Sequence, residues 1–121
     1  MAVAADIVKV EAPSSAASGA TVIVDVSVKN IASTNKYLAA TGVYDSSSLS
    51  WQFDYLIVLP QETVVFRGYF YMPSKKVTVT VNSWYWDGSK WVLDEEQSLS
   101  IALTELAPQF SELKISSFSK V

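Results

Sequence analysis

The side chains with the most obvious chemical potential are the acids Asp94, Glu95 and Glu96, which run consecutively near the end of the chain. Several carboxylates close together are what a hard cation such as Ca²⁺ requires. Successive strand residues point to opposite faces, however, and the run lacks the glycine-punctuated spacing of a calcium loop, so no metal site is expected. Glycoside hydrolysis needs two acids that converge across a cleft. Asp54, Glu62 and Glu95 are candidates, but nothing in their spacing brings a pair together. Ser89-Lys90 follows Asp87-Gly88 and reads as turn chemistry rather than a nucleophile with its base. The chain has neither His nor Cys, which removes imidazole bases, thiolate nucleophiles, disulfides and the common ligands of zinc, copper and iron. No glycine-rich phosphate loop is present either. The expectation is a protein without enzymatic activity and without a cofactor.

The remaining chemistry is that of aromatic contact. Trp84, Trp86 and Trp91 lie in Val77 to Leu103, VTVTVNSWYWDGSKWVLDEEQSLSIAL, the stretch around which the chain is organised. Val77, Val79, Val81, Ser83 and Tyr85 share one strand face, and Thr78, Thr80, Asn82, Trp84 and Trp86 share the other. Asp87-Gly88 is a strong hairpin signal, because Gly and, tolerably, Asp reach the positive φ that such turns demand. With a loop from Asp87 to Lys90, Trp86 falls opposite Trp91. The return strand starts at Trp91-Val92-Leu93 and resumes with Leu99, Ile101 and Leu103 on one face, with a bulge or kink expected at the acids. The tryptophans either cover the end of the core and pair across strands, or form a patch for a partner or a sugar.

A chain of 121 residues makes about one domain, long enough to bury a core without crosslinks. Half of its residues are hydrophobic, but no apolar run approaches the roughly 18 residues of a membrane span. With 9 basic and 12 acidic residues and a net charge of −3, there is no cationic surface for nucleic acid. Met1 to Ile7 has neither a basic nor an apolar segment of the kind that begins a secretory leader.

The rest of the chain continues the extended pattern. Ile7 to Ala12 is a first strand, and Pro13 to Gly19 a turn rich in small residues. Thr21 to Asn30 alternates Val22, Val24, Val26 and Val28 against Asp25, Ser27 and Lys29, as a strand with one buried face does. Lys36 to Tyr44 is the next strand. Leu49 to Leu59 is expected to be a single strand with Trp51, Phe53, Tyr55, Ile57 and Leu59 in one row. Thr63 to Met72 sets Val64, Phe66, Gly68, Phe70 and Met72 against Val65, Arg67, Tyr69 and Tyr71. About seven strands at roughly ten-residue spacing, with no amphipathic helix, predict an all-β, immunoglobulin-like antiparallel β-sandwich.

The leading strand, the small-residue loop with Gly19 and TVIVDVSVKN ending in Asn30 resemble the opening of the CARDB-type and related immunoglobulin-like domains of bacteria and archaea. LPQETVVFRGYFYMPSKKVTVTVNSWYW is similar to their long strand, Met-Pro turn and following strand. The resemblance spans roughly residues 5 to 104. It implies a tandem spacer or binding module of surface, adhesive or virion-associated proteins, and no catalytic residue to carry over.

The expected domain is therefore residues 1–105, followed by a strand-like extension over 106–121. In that extension Glu112-Leu113-Lys114-Ile115 echoes Asp6-Ile7-Val8-Lys9-Val10, which suits the start of a further repeat, a strand lent to a neighbour, or an added strand of the same sandwich. The expected function is a non-enzymatic structural or adhesive module of an extracellular surface or virion. It would contact protein, a second copy or a neighbouring domain, through strand edges, the tail residues Phe110, Leu113, Ile115 and Phe118, and exposed aromatics. The alternative is a carbohydrate-binding platform of Trp84, Trp86 and Trp91 with Tyr69 and Tyr71.

Overall fold

The computed structural model describes residues 2–104, so the expected contact positions Phe110, Leu113, Ile115 and Phe118 lie outside the described residues. Ten strands are formed: β1 (Ala5–Glu11), β2 (Ser15–Ala17), β3 (Thr21–Asn30), β4 (Lys36–Tyr44), β5 (Ser47–Ser48), β6 (Ser50–Trp51), β7 (Leu56–Val58), β8 (Thr63–Tyr71), β9 (Val77–Trp86) and β10 (Trp91–Thr104). They make two sheets. The first has the order β1-β3-β8-β6, and the second the order β2-β10-β9-β4-β5 with β7 also paired to β4.

Period-two alternation decides what lies between the sheets. Val22, Val24, Val26 and Val28 of β3 and Phe66 and Phe70 of β8 face Leu38 and Ala40 of β4, Val77, Val79 and Val81 of β9 and Ile101 of β10, all buried. Burying each Val, Leu, Ile or Phe side chain contributes on the order of 1.5–3 kcal/mol. Tyr44 stacks on Phe70 across the core, with centroids 4.2 Å apart and planes 13° from parallel.

Two expectations are corrected. The loop Pro13 to Gly19 contains β2, which runs parallel to β10 with Ala102 beside Ser15 and Leu103 beside Ala16. The sandwich is thus not wholly antiparallel, because the chain leaves β1 at Glu11 and joins the edge of the opposite sheet in the direction in which β10 runs.

Leu49 to Leu59 is not one strand either. It splits into β6, which pairs with β8 in the first sheet, and β7, which pairs with β4 in the second. The bend at Gln52 to Tyr55 carries the chain between sheets and resets which side chains face in. Val58 becomes the buried residue, while Phe53, Tyr55, Ile57 and Leu59 are exposed.

The break expected at the acids is present. A bulge between Leu93 and Glu95 interrupts the β9–β10 ladder, as the acidic run suggested. There Asp94 accepts hydrogen bonds from the N–H groups of Val3, Ala4 and Ala5 at 2.6–2.8 Å, and Glu95 accepts from Ile7 N–H at 2.8 Å. Ser83, fully buried, donates its hydroxyl to Ala5 C=O at 2.6 Å and accepts from Glu95 N–H at 3.2 Å. Two of the three acids therefore serve the free edge of β1, whose N–H donors would otherwise be unpaired.

Candidate functional site

The β9–β10 hairpin positions two tryptophans through its turn. Asp87 N–H donates to Lys90 C=O at 3.0 Å, Gly88 takes φ +104°, and Asp87 Oδ1 accepts from the N–H groups of Ser89 and Lys90 at 2.8 and 2.9 Å. The Lys90 ammonium, 2.9 Å from Asp87 Oδ2, together with those N–H groups, holds the Asp87 carboxyl well below the usual carboxylate range. With the turn closed in this way, Trp86 pairs with Trp91. Their rings meet edge to face, with centroids 5.5 Å apart and planes at 69°.

The neighbouring strand and the inter-sheet bend complete the cluster. Tyr37, on the outward side of β4, packs edge-on against Tyr55 at 5.5 Å and 85°. Tyr55 in turn leans on Trp91 at 6.0 Å and 49°. One cleft of about 230 Å³ is lined by Tyr37, Tyr55, Trp86 and Trp91. On the other side of Tyr55 and Trp91, a second of about 330 Å³ is lined by Ala39, Thr41, Asp54, Tyr55, Trp84 and Trp91. Trp84 is held in its wall by an indole N–H donated to Thr41 Oγ1 at 2.8 Å. Deeper on the same face, Asn82 Oδ1 is buried without a hydrogen-bond partner among the described residues.

The three acids considered for paired-carboxylate chemistry are distributed over the molecule. Asp54 borders the second cleft, Glu62 accepts Leu59 N–H at 2.9 Å in the turn before β8, and Glu95 is engaged with Ile7. What the aromatic face offers is contact. Its rings present apolar faces with polar rims, the combination enriched where proteins meet partners.

The structure thus brings together Trp84, Trp86 and Trp91, and separates them from Tyr69 and Tyr71. The two tyrosines lie on β8, outward from the first sheet, with their rings 6.4 Å apart and Tyr71 63% exposed. A five-residue platform of these side chains does not form, because β8 and β9 belong to opposite sheets and turn their outward faces away from each other. The cluster's other members, Tyr37 and Tyr55, are absent from the residues expected from sequence. The signal for Tyr37 was present, since it alternates with the buried Leu38. Tyr55 was concealed by the unbroken alternation from Trp51 to Leu59. No protein-family model matches the chain, and no curated protein is recovered as a relative.

Proposed function

We propose that this chain is a non-enzymatic interaction module, an immunoglobulin-like sandwich of the CARDB-like kind that serves a surface or virion assembly as one of a series of domains and contacts protein. The strand orders support the immunoglobulin-like reading: β1-β3-β8-β6 follows the A-B-E-D order, and β10-β9-β4 the G-F-C order, of such domains. The observation that carries the functional reading is the aromatic face itself. Tyr37, Tyr55 and Trp91 remain 37–53% exposed although a full core lies on the other side of the same sheet. Large aromatic side chains left at the surface in a cluster mark contact sites.

The rings here are inclined to each other by 49–85° and offer clefts between them rather than one flat stacking surface, an arrangement that suits inserted side chains of a protein partner. The test is joint replacement of Tyr55 and Trp91 by Ser, followed by denaturant unfolding. The joint change breaks the three aromatic pairs that involve these rings, so a contact surface keeps its loss to about 1.5–4.5 kcal/mol. A loss of about 6–10 kcal/mol, the sum for two truncated core aromatics, means that these rings are core, and the reading fails.

A further inference from the structure

We infer that the aromatic clefts of the second sheet take a basic side chain, arginine or lysine, presented by the partner protein, with Asp54 as its counter-charge. The inference rests on the reading of that face as a contact surface and names the chemistry it selects. Each cleft, at about 230 and 330 Å³, lies at or below the lower end of small-molecule sites and suits one inserted side chain. The walls are ring faces set at steep angles to one another, and the face of an aromatic ring carries the negative lobe of its quadrupole, which attracts a cation within about 6 Å of the ring centre.

The distribution of charge points the same way. Among the acids of the described residues, Glu11, Asp25, Asp45 and Asp87 are held in ion pairs. Glu62, Asp94 and Glu95 accept backbone N–H groups. Asp6, Asp54 and Glu96 have neither kind of partner among the described residues, and two of these three lie on the aromatic face: Asp54 lines the second cleft, and Glu96 stands beside Asn82 on β10.

No cation among the described residues answers them there. The outward positions are Tyr37, Ala39, Thr41 and Val43 of β4, Thr78, Thr80, Asn82, Trp84 and Trp86 of β9, and Trp91, Leu93, Glu96, Ser98 and Ser100 of β10, with no Lys or Arg among them. The hairpin lysine beside Trp91, Lys90, is tied to Asp87. An apolar partner would use the rings and leave Asp54 unanswered, while a guanidinium or ammonium uses both. Arginine fits best, because its plane stacks on rings while its N–H groups reach a carboxylate.

The experiment is a ¹H–¹⁵N titration of the full chain with the capped peptide Gly-Arg-Gly and with its neutral counterpart Gly-citrulline-Gly, following the indole N–H signals. The arginine peptide is expected to shift Trp84, Trp86 and Trp91 saturably and to leave Trp51, between the sheets, unmoved. Binding should weaken at raised salt. Asp54→Asn should lower the arginine affinity about 3- to 5-fold, the size of an exposed ion pair, without changing the citrulline response. Equal binding of the two peptides overturns the inference and leaves the contact surface standing. A response to a neutral oligosaccharide with none to either peptide overturns it in favour of sugar binding. No response to any probe overturns it too, and if the Tyr55 and Trp91 replacements also cost core-sized stability, the contact surface falls with it.

Discussion

The six-membered ring of the Trp51 indole covers Gly68, its partner on the neighbouring strand. A Cβ built at position 68 would lie 3.0 Å from each of three ring atoms. The same six-membered ring also approaches Gly42 of the opposite sheet, where a Cβ would meet Trp51 Cζ2 at 3.4 Å and Thr80 C=O at 2.9 Å. One indole thus spans the gap between two glycines on opposite sheets, and their missing side chains make the room for it.

This fit predicts that Gly68→Ala destabilises the domain by about 1–3 kcal/mol, the range for overpacking. A stiff indole cannot yield as the end of a flexible chain would. On a Trp51→Leu background the same change should cost clearly less, and a double-mutant cycle from urea unfolding measures the difference. Equal costs in the two backgrounds would mean that the close approach does not matter.

Asn30 is fully buried and ties three segments together. Its amide donates to Thr34 C=O at 2.9 Å and Val58 C=O at 2.8 Å, and its side-chain oxygen accepts Ala32 N–H at 2.9 Å. Asn30→Ala strands these groups, so a loss of roughly 1–3 kcal/mol is expected. Thermal or denaturant midpoints read it directly. Asn30→Asp keeps the acceptor but loses both donated bonds and buries a charge, and it should be at least as harmful.

Asp94→Ala removes the acceptor of three backbone N–H groups near the start of the chain. The expected result is local. Amide exchange at Val3, Ala4 and Ala5 should quicken far more than at Val24 or Val79. Protection lost evenly over the whole domain would show that the carboxylate supports global stability rather than the edge of β1.

Asp25 and Arg67 form a two-pronged pair across β3 and β8, with Nε to Oδ1 and a terminal nitrogen to Oδ2 both at 2.9 Å. The hydrogen bonds from Arg67 are the main cause of a lowered Asp25 pKa; burial opposes them, and the charge of Arg67 adds a smaller lowering effect. A carboxyl whose pKa is lower folded than unfolded adds stability above its unfolded value, near 3.9, and loses that contribution as pH falls through the folded value. Arg67→Met should therefore be less stable than the parent at neutral pH, and the two unfolding midpoints should converge in acid below the ordinary aspartate range. A gap that stays constant with pH would assign the loss to packing instead.

Much of this architecture was legible in the residues because it is local. The valines of β3 alternate with Asp25, Ser27 and Lys29, and period two alone assigns their faces. Asp87-Gly88 specifies a tight turn, and the turn sets Trp86 against Trp91. The acidic run signalled a break in β10, since three carboxylates in sequence suit no regular ladder.

Other features depended on contacts between residues far apart in the chain. Asp94 meets Ala5 across 89 positions, and Tyr55 turns outward because the bend before β7 moves the chain from one sheet to the other. Alternation within a segment cannot report a change of sheet, since a shift of one residue reverses every side chain after it. Sequence by itself determined an all-β chain with a valine core, a tryptophan hairpin and no histidine or cysteine chemistry. Tertiary structure decided that Tyr37 and Tyr55 join that hairpin while Tyr69 and Tyr71 face away from it, because which strands become neighbours is settled by burying both sheets' apolar faces at once.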